Sequence, residues 1–528
     1  MSKPRKTQKI KSDPSTGPQT RSSGGGKKRR PAPNLPRKFD PGKPRIDFSA
    51  LDLIFHPRAL AVVGVSNRMN NAGVMFADAN RALGFAGPIY AVNPSGGEQV
   101  KDYPTYRTIR EIPGPVDHVV ISVPAKFLPE IISECGEKGV RSAAIFTSGF
   151  SETGEDSGVE LEEKILEIAR KSGLRLIGPN CMGIYYPAHG LGFRPDLPKW
   201  EGQGNISFLS QSGGLAFSGI FLGQRCGLKF QKVVSYGNET DLNSHELLDY
   251  FAEDPATGII LVYIEGTRDG ASLARALIRA GRKKPVIVLK GGLAEVGVRA
   301  AASHTGAMGG KRQTWEAVFK QAGALQTGSL EELVETAMTV NRLPAFTGRR
   351  LMMVCMSGGV SVNYTDRTAD WGFEMPELSP ETTAKLRTAF DAPGTSVKNP
   401  IDMASSYINF FIYPDVFRAL EEDPDCDIIM LVFTMEYYIY AEHFAPGLVD
   451  HTVSTFIEAL NNEVKKPVVV VIPSVVEEEK RNRIQQTFLS AGFPAFITID
   501  RALKALSLTQ QYHSRKKLIA GQSSRGTK

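Results

Sequence analysis

The stretch Ser303-His304-Thr305-Gly306-Ala307-Met308-Gly309-Gly310 sets one histidine among residues too small to bury it. Small side chains leave backbone N–H groups open to an anion, and an accessible imidazole can take a phosphoryl group on a ring nitrogen. The competing reading is a loop histidine that is merely solvated. Two more glycine-rich turns each follow an apolar run: Gly64-Val65-Ser66 after Ala59–Val63, and Ser210-Gln211-Ser212-Gly213-Gly214 after Asn205–Leu209. A helix is predicted from Leu215 onward, so the N–H groups of Gly213 and Gly214 and the Ser212 hydroxyl form a phosphate site at its start. The helix dipole supplies only about 0.3–1 kcal/mol there, and several donors must provide the rest. Ser212 as a hydrolase nucleophile is the rival, but Gly-x-Ser-x-Gly is not met, because no glycine precedes Ser212 at the required spacing.

Glu265, in Tyr263-Ile264-Glu265-Gly266, stands where a buried strand leaves its sheet. A carboxylate there needs a partner, and an imidazole N–H is one that would leave the other ring nitrogen free to attack phosphorus. A plain surface glutamate is the alternative. Cys181 has no basic neighbour or helix start to lower its pKa and reads as a small buried residue rather than a nucleophile. The Gly64 turn carries Ser66 where the dinucleotide fingerprint needs a second glycine, which weakens a dehydrogenase reading. No complete Gly-x4-Gly-Lys-Ser/Thr loop exists; the nearest, Gly306 to Arg312, lacks the hydroxyl after Lys311.

Alternating strands and helices must position these groups. Continuous apolar runs at Ala59–Val65, Pro88–Pro94, His118–Pro124, Ser142–Thr147 and Arg175–Gly178 predict strands buried on both faces of a parallel sheet, with helices such as Leu128–Lys138 and Leu161–Ser172 between them. Such sheets bind ligands at the carboxyl ends of their strands. Further strands are predicted at Asn205–Leu209, Lys232–Tyr236, Gly258–Ile264 and Lys284–Lys290, then at Arg349–Cys355, Ile428–Phe433 and Pro467–Ile472. The likeness of Leu209-Ser-Gln-Ser-Gly-Gly214 to Cys355-Met-Ser-Gly-Gly359 predicts two related flavodoxin-like folds. The expected organisation is a disordered basic arm (1–45), a Rossmann-like domain (46–198), a flavodoxin-like domain (199–345), a second one (346–515) and a polar tail (516–528).

The net charge of +7 over 528 residues is unevenly spread. Residues 1–45 carry 14 Lys/Arg against two Asp, a net of +12; the rest carries 49 basic against 54 acidic side chains. The arm has too few large apolar residues to fold alone and lacks a secretory core. Nucleic-acid contact is its alternative reading, set against a solvated arm. No apolar run reaches 18 residues, so no membrane span is expected. Five dispersed cysteines without Cys-x-x-Cys spacing point to reduced thiols in a cytoplasmic protein with no tightly bound metal.

In this order, Ile177-Gly178-Pro179-Asn180-Cys181, Leu209–Gly214, Tyr236-Gly237-Asn238-Glu239-Thr240-Asp241, Ser303–Ala307 and Ser396–Asp402 resemble the α subunit of NDP-forming acyl-CoA synthetases, relatives of the succinyl-CoA synthetase α subunit. The resemblance runs over roughly residues 50–510. It implies the reaction acyl-CoA + NDP + phosphate ⇌ acid + CoA + NTP through an acyl phosphate and a phosphohistidine. It further implies His304 as the phosphorylated residue, Glu265 as its carboxylate partner, and Ser212, Gly213, Gly214 and Gly306 around the phosphoryl group. CoA, a substrate, would lie against Gly64, Ser66, Asn93, Pro94, Val123, Pro124 and Ser148. The acyl group would lie near Asn180, Asn238 and Asp241. Family members that act alone carry an ATP-grasp domain, for which there is no room after Asp500, where a short helix and a polar tail are expected. The implied partner is therefore a separate ATP-grasp β subunit holding ATP or ADP with Mg. A non-catalytic acyl-CoA sensor or scaffold on the same fold is the alternative; its mark would be loss of His304 or Glu265. The acid is not legible: a dicarboxylate would want an arginine, for which Arg268 is the candidate.

Overall fold

The computed structural model describes residues 42–43, 46–94, 99–294, 296–297, 310–390, 392–473 and 477–525. His304 and Gly306 lie outside the described residues, as do residues 1–41, 44–45 and 526–528 of the expected arm and tail.

The apolar runs form three six-stranded sheets. The first takes β1 (Leu60–Val63), β2 (Ile89–Val92), β3 (Thr105–Tyr106), β4 (His118–Ile121), β5 (Ser142–Ile145) and β6 (Arg175–Ile177) in the order β3-β2-β1-β4-β5-β6, all parallel. This is the Rossmann order, whose switch point falls between β1 and β4. Every residue of β1, β4 and β5 is buried, as aliphatic strands covered on both faces must be.

The second sheet holds β7 (Gly183–Tyr185), β8 (Ile206–Ser210), β9 (Phe230–Ser235), β10 (Ile259–Ile264), β11 (Val286–Lys290) and β12 (Leu325–Thr327), ordered β12-β11-β10-β8-β9-β7. The five strands from β8 onward are parallel in the flavodoxin order, with the switch point between β8 and β10. β7 adds to the edge antiparallel to β9. It comes from the stretch expected to belong to the Rossmann-like domain, so the chain joins the second sheet before residue 199.

The third sheet repeats the flavodoxin order with β13 (Leu351–Cys355), β15 (Ile401–Asp402), β16 (Ile428–Val432), β17 (Val468–Val471) and β18 (Ala495–Phe496), and β14 (Ser396–Val397) adds antiparallel at its edge. The fold is thus α/β, a Rossmann-like domain followed by two flavodoxin-like domains, as the sequence predicts.

The C-terminal element differs from expectation. Instead of a short helix and a polar tail, a 27-residue helix spans Ile499–Arg525. Buried Ala502, Leu503, Ala505, Leu506 and Thr509 give it an apolar stripe. Arg501 Nε bonds Glu335 Oε2 at 2.8 Å and Lys504 Nζ bonds Glu332 Oε2 at 2.5 Å, tying the helix to Leu330–Arg342 of the second domain. Among the described residues no helix is long and apolar enough to cross a membrane.

Candidate functional site

The carboxyl ends of the first sheet carry the predicted CoA residues. Gly64 follows β1 at φ +99°, where a Cβ would stand 2.6 Å from the Ser122 carbonyl oxygen, so both the close approach of β4 and the backbone conformation require glycine. Asn71 arranges the turn that Gly64 begins. Its Oδ1 accepts from Val74 N (2.9 Å), capping helix α1 (Ala72–Leu83), and from Ser66 N (3.2 Å), while its Nδ2 donates to Gly64 O (3.0 Å). Asn93 and Pro94 follow β2, Val123 and Pro124 follow β4, and exposed Ser148 follows β5. These residues therefore rim one crevice edge around the β1/β4 switch point.

The second switch point brings Ser212 and Glu265 together. Helix α2 (Gly213–Arg225) begins two residues before the expected Leu215, capped by Ser212, whose Oγ accepts from Leu215 N at 3.3 Å. Ser210 Oγ donates to Ser212 O at 2.6 Å. Across the switch point, buried Gln211 turns its Oε1 to accept from the backbone N–H of Glu265 (2.7 Å) and of Gly266 (3.1 Å). The phosphate turn and the carboxylate loop are thereby one unit. Glu265 is 6% exposed, and its Oε1 accepts from the Tyr263 hydroxyl at 3.0 Å. Behind it, Lys290 Nζ donates to the Glu265 carbonyl oxygen at 2.7 Å. Burial pulls the Lys290 ammonium down to about 8, against the opposing charge of Glu265.

The two switch points adjoin through one chain segment. After β6, Asn180 N donates to Thr147 O on the first sheet (3.0 Å), and two residues on Met182 N donates to Ser235 Oγ at the end of β9 (3.1 Å). Met182 packs beneath the phosphate turn, where a Cβ on Gly213 would lie 2.6 Å from its Cγ. The loop 237–242 pairs back along the same segment: Asn238 N to Pro179 O (3.0 Å), Thr240 N to Gly178 O (3.2 Å) and Leu242 N to Leu176 O (3.1 Å). Asn180 and Asn238 are brought together by this ladder, their side chains 3.5 Å apart.

Asp241 is placed otherwise than expected. Its Oδ2 accepts from Arg175 Nε (2.9 Å) and Leu176 N (2.8 Å), so this carboxylate is engaged in joining two domains. Arg268 is likewise engaged: its guanidinium pairs with buried Glu162, donates to Ser151 Oγ (3.2 Å) and, through Nε, to Asn238 O (3.1 Å). Glu162 also accepts from Ser151 Oγ and Thr240 Oγ1, both at 2.6 Å. Cys181 is buried and its thiol is pushed up to about 12, with Sγ donating to the Ile145 and Ile177 carbonyls, which fits a packing residue.

Gln211, Asn71 and Lys290 were not singled out from the sequence. Gln211 and Asn71 carry no charge and sit inside motifs whose glycines drew attention. Lys290 did leave a signal, a cation at the end of the apolar run Pro285–Leu289.

Comparison with known proteins places the chain in a family. The CoA binding domain family matches residues 58–187, and the succinyl-CoA ligase like flavodoxin domain family matches residues 203–340. Together they give a CoA-binding domain followed by a succinyl-CoA-ligase-like flavodoxin domain. The chain is 34% identical over 466 residues to the α subunit of acetate–CoA ligase [ADP-forming] II of Pyrococcus furiosus, covering 87% of this chain and 98% of that one. It is 32% identical to the acetate–CoA ligase [ADP-forming] I of Archaeoglobus fulgidus, covering 88% of this chain but 64% of that longer one. Among solved structures, a dinucleotide-forming acetyl-coenzyme A synthetase 1 of Ca. Korarchaeum cryptofilum, in complex with phosphate and ADP, superposes with a TM-score of 0.76 at 30% identity, covering 89% and 98% of the two chains. The chain belongs to the family of the α subunits of ADP-forming acetate–CoA ligases, which are acid–thiol ligases.

Proposed function

We propose that this chain is the CoA-binding, phosphohistidine-carrying subunit of an NDP-forming acid–CoA ligase, interconverting acyl-CoA, phosphate and NDP with acid, CoA and NTP. The observation that carries the reading is the segment 178–182, which touches the carboxyl edge of the Rossmann sheet at Thr147 and lies beneath the phosphate turn at Gly213. A thioester held at the first edge meets phosphate held at the second.

Inorganic phosphate, bound by N–H groups at the start of α2 beside Ser212, attacks the thioester carbonyl carbon; the carbon–sulfur bond breaks and CoA leaves as thiolate. His304 then attacks phosphorus through one ring nitrogen, and the carboxylate leaves with the electrons of the phosphorus–oxygen bond. Glu265 accepts the N–H of the other ring nitrogen and stabilises the cation that forms. A separate ATP-grasp subunit, holding the nucleotide with Mg, passes the phosphoryl group to NDP. Coenzyme A and a small carboxylic acid are the other substrates. Arg268, the candidate arginine for a dicarboxylate, is paired with Glu162.

The test is to incubate the purified chain with radiolabelled phosphate and a panel of acyl-CoAs, beside His304→Ala. An acid-labile, base-stable label that needs acyl-CoA and vanishes in the variant supports the reading. No label, even with an ATP-grasp partner present, overturns it.

A further inference from the structure

Lys290 ends β11 and is 4% exposed. Its Nζ donates to the carbonyl oxygens of Glu265 and Gly291 and stands 4.9 Å from the centre of the Trp315 ring. Two of these contacts reach other pieces of chain, and the third is to the carbonyl of the next residue. Glu265 follows β10; Gly291 is the first residue after β11; Trp315 lies in the first helical turns of Arg312–Ala322. The sequence between Gly291 and Trp315 is the stretch that contains His304.

We propose that Lys290 is the positioning residue that holds Glu265 and both ends of the His304-bearing stretch in one register for phosphoryl transfer. This rests on the phosphohistidine reading above. Lys290 touches no reacting atom, because its ammonium is committed to two carbonyl oxygens and an indole face. An apolar side chain at this buried position would avoid the cost of desolvating a cation, so packing alone gives no reason for a lysine. Three directional contacts from one cation do give a reason: they fix main-chain atoms that an aliphatic side chain could not grip. Among the described residues, the charged or titratable groups facing Lys290 are the Glu265 carboxylate and, through its bond to that carboxylate, the Tyr263 hydroxyl; the helix 312–322 presents the Trp315 ring.

The experiment uses the full chain and Lys290→Met, with Lys290→Gln as a second variant that keeps a donor without the charge. Single-turnover labelling with phosphate and the productive acyl-CoA should slow about tenfold to a hundredfold in both, as a misplaced reacting group does. The acyl-CoA concentration giving half the maximal rate should not move, and rates are compared per folded molecule, because Lys290→Met leaves two carbonyl oxygens without their donor. The wild-type rate should fall as pH rises through about 8, where the ammonium is lost, and both variants should lack that limb. Tryptophan emission, read without any reaction, should titrate near the same pH in the wild type only. A variant that labels at the wild-type rate overturns the proposal, as does one that keeps the alkaline limb. If the wild type takes no label at all, the phosphohistidine reading fails, and a flat wild-type emission titration separately removes the Lys290–Trp315 contact.

Discussion

The Gln211 side chain bridges the Ser212 turn to the Glu265 loop, its Oε1 accepting from the Glu265 N–H at 2.7 Å and from Gly266 N at 3.1 Å. One amide oxygen therefore sets the separation between the Ser212 turn and the Glu265 loop, the two groups that the proposed phosphoryl transfer needs together. Gln211→Ala should leave both N–H groups without this acceptor, at about 1–3 kcal/mol for each that stays buried. The expected outcome is a lower melting temperature with labelling slowed by more than the loss of folded protein accounts for, measured by thermal unfolding beside single-turnover rates. Unchanged labelling per folded molecule would dissociate the two loops.

Gly213 is expected to tolerate no side chain while Met182 lies beneath it. Gly213→Ala places a Cβ 2.6 Å from the Met182 Cγ, and the resulting overpacking costs about 1–3 kcal/mol or displaces the turn. Acyl-CoA-dependent labelling should drop while CoA binding, measured by calorimetry, stays at the wild-type value. Adding Met182→Ala should restore part of the lost rate, because the side chain that forbids the Cβ is then gone. Failure of that rescue would place the effect in the N–H groups themselves.

The fold was legible where burial writes itself into composition. The runs Ala59–Val65, His118–Pro124 and Gly258–Ile264 are mostly aliphatic because their strands are covered on both faces, and each contains the strand observed. The helix Leu128–Lys138 was legible to the residue, between its Pro129 at the start and Gly139 at φ +76° after its end. By contrast, the helix predicted at Leu161–Ser172 starts at Asp156, since its first turns are polar and carry no apolar period. The strands β3, β14, β15 and β18 have two residues each, too short for any period. The positions of Glu265 and of the Ser212 turn at strand ends were legible. Their coupling through Gln211 was not, because a side chain's direction across a switch point depends on strand order, which sequence spacing does not encode.

Asp241, expected beside the acyl group, is bound to Arg175 and to the Leu176 N–H. Asp241→Asn keeps the shape and removes the charge-assisted bond, which should cost about 1–3 kcal/mol. The melting temperature should fall, and the KM values for acid and CoA should stay within a factor of about two, a change well under the tenfold that 1.4 kcal/mol represents. A raised KM for the acid with unchanged stability would return Asp241 to the substrate site.

Acid should weaken the junction between the first two domains through Glu162. Burial pushes this carboxyl up, but hydrogen bonds from Ser151 and Thr240 and the Arg268 charge outweigh it and hold it below the usual glutamate range. A carboxyl whose folded pKa lies below its unfolded value stabilises the fold fully above the unfolded value, about 4.3, and loses that contribution as pH falls through the folded one. Wild-type stability should therefore decline with a steeper slope below about pH 4.3 than that of Glu162→Gln, which has no proton to gain at this position. Denaturant midpoints measured from pH 7 down to pH 3 would give both slopes. Because Glu162 sits in the first domain and Thr240, Asn238 and Arg268 in the second, the difference between the slopes reports the junction that keeps the CoA edge against the phosphate turn. Identical slopes would mean that the Glu162 carboxyl titrates alike in the folded and unfolded chain and adds no pH-dependent stability to the junction.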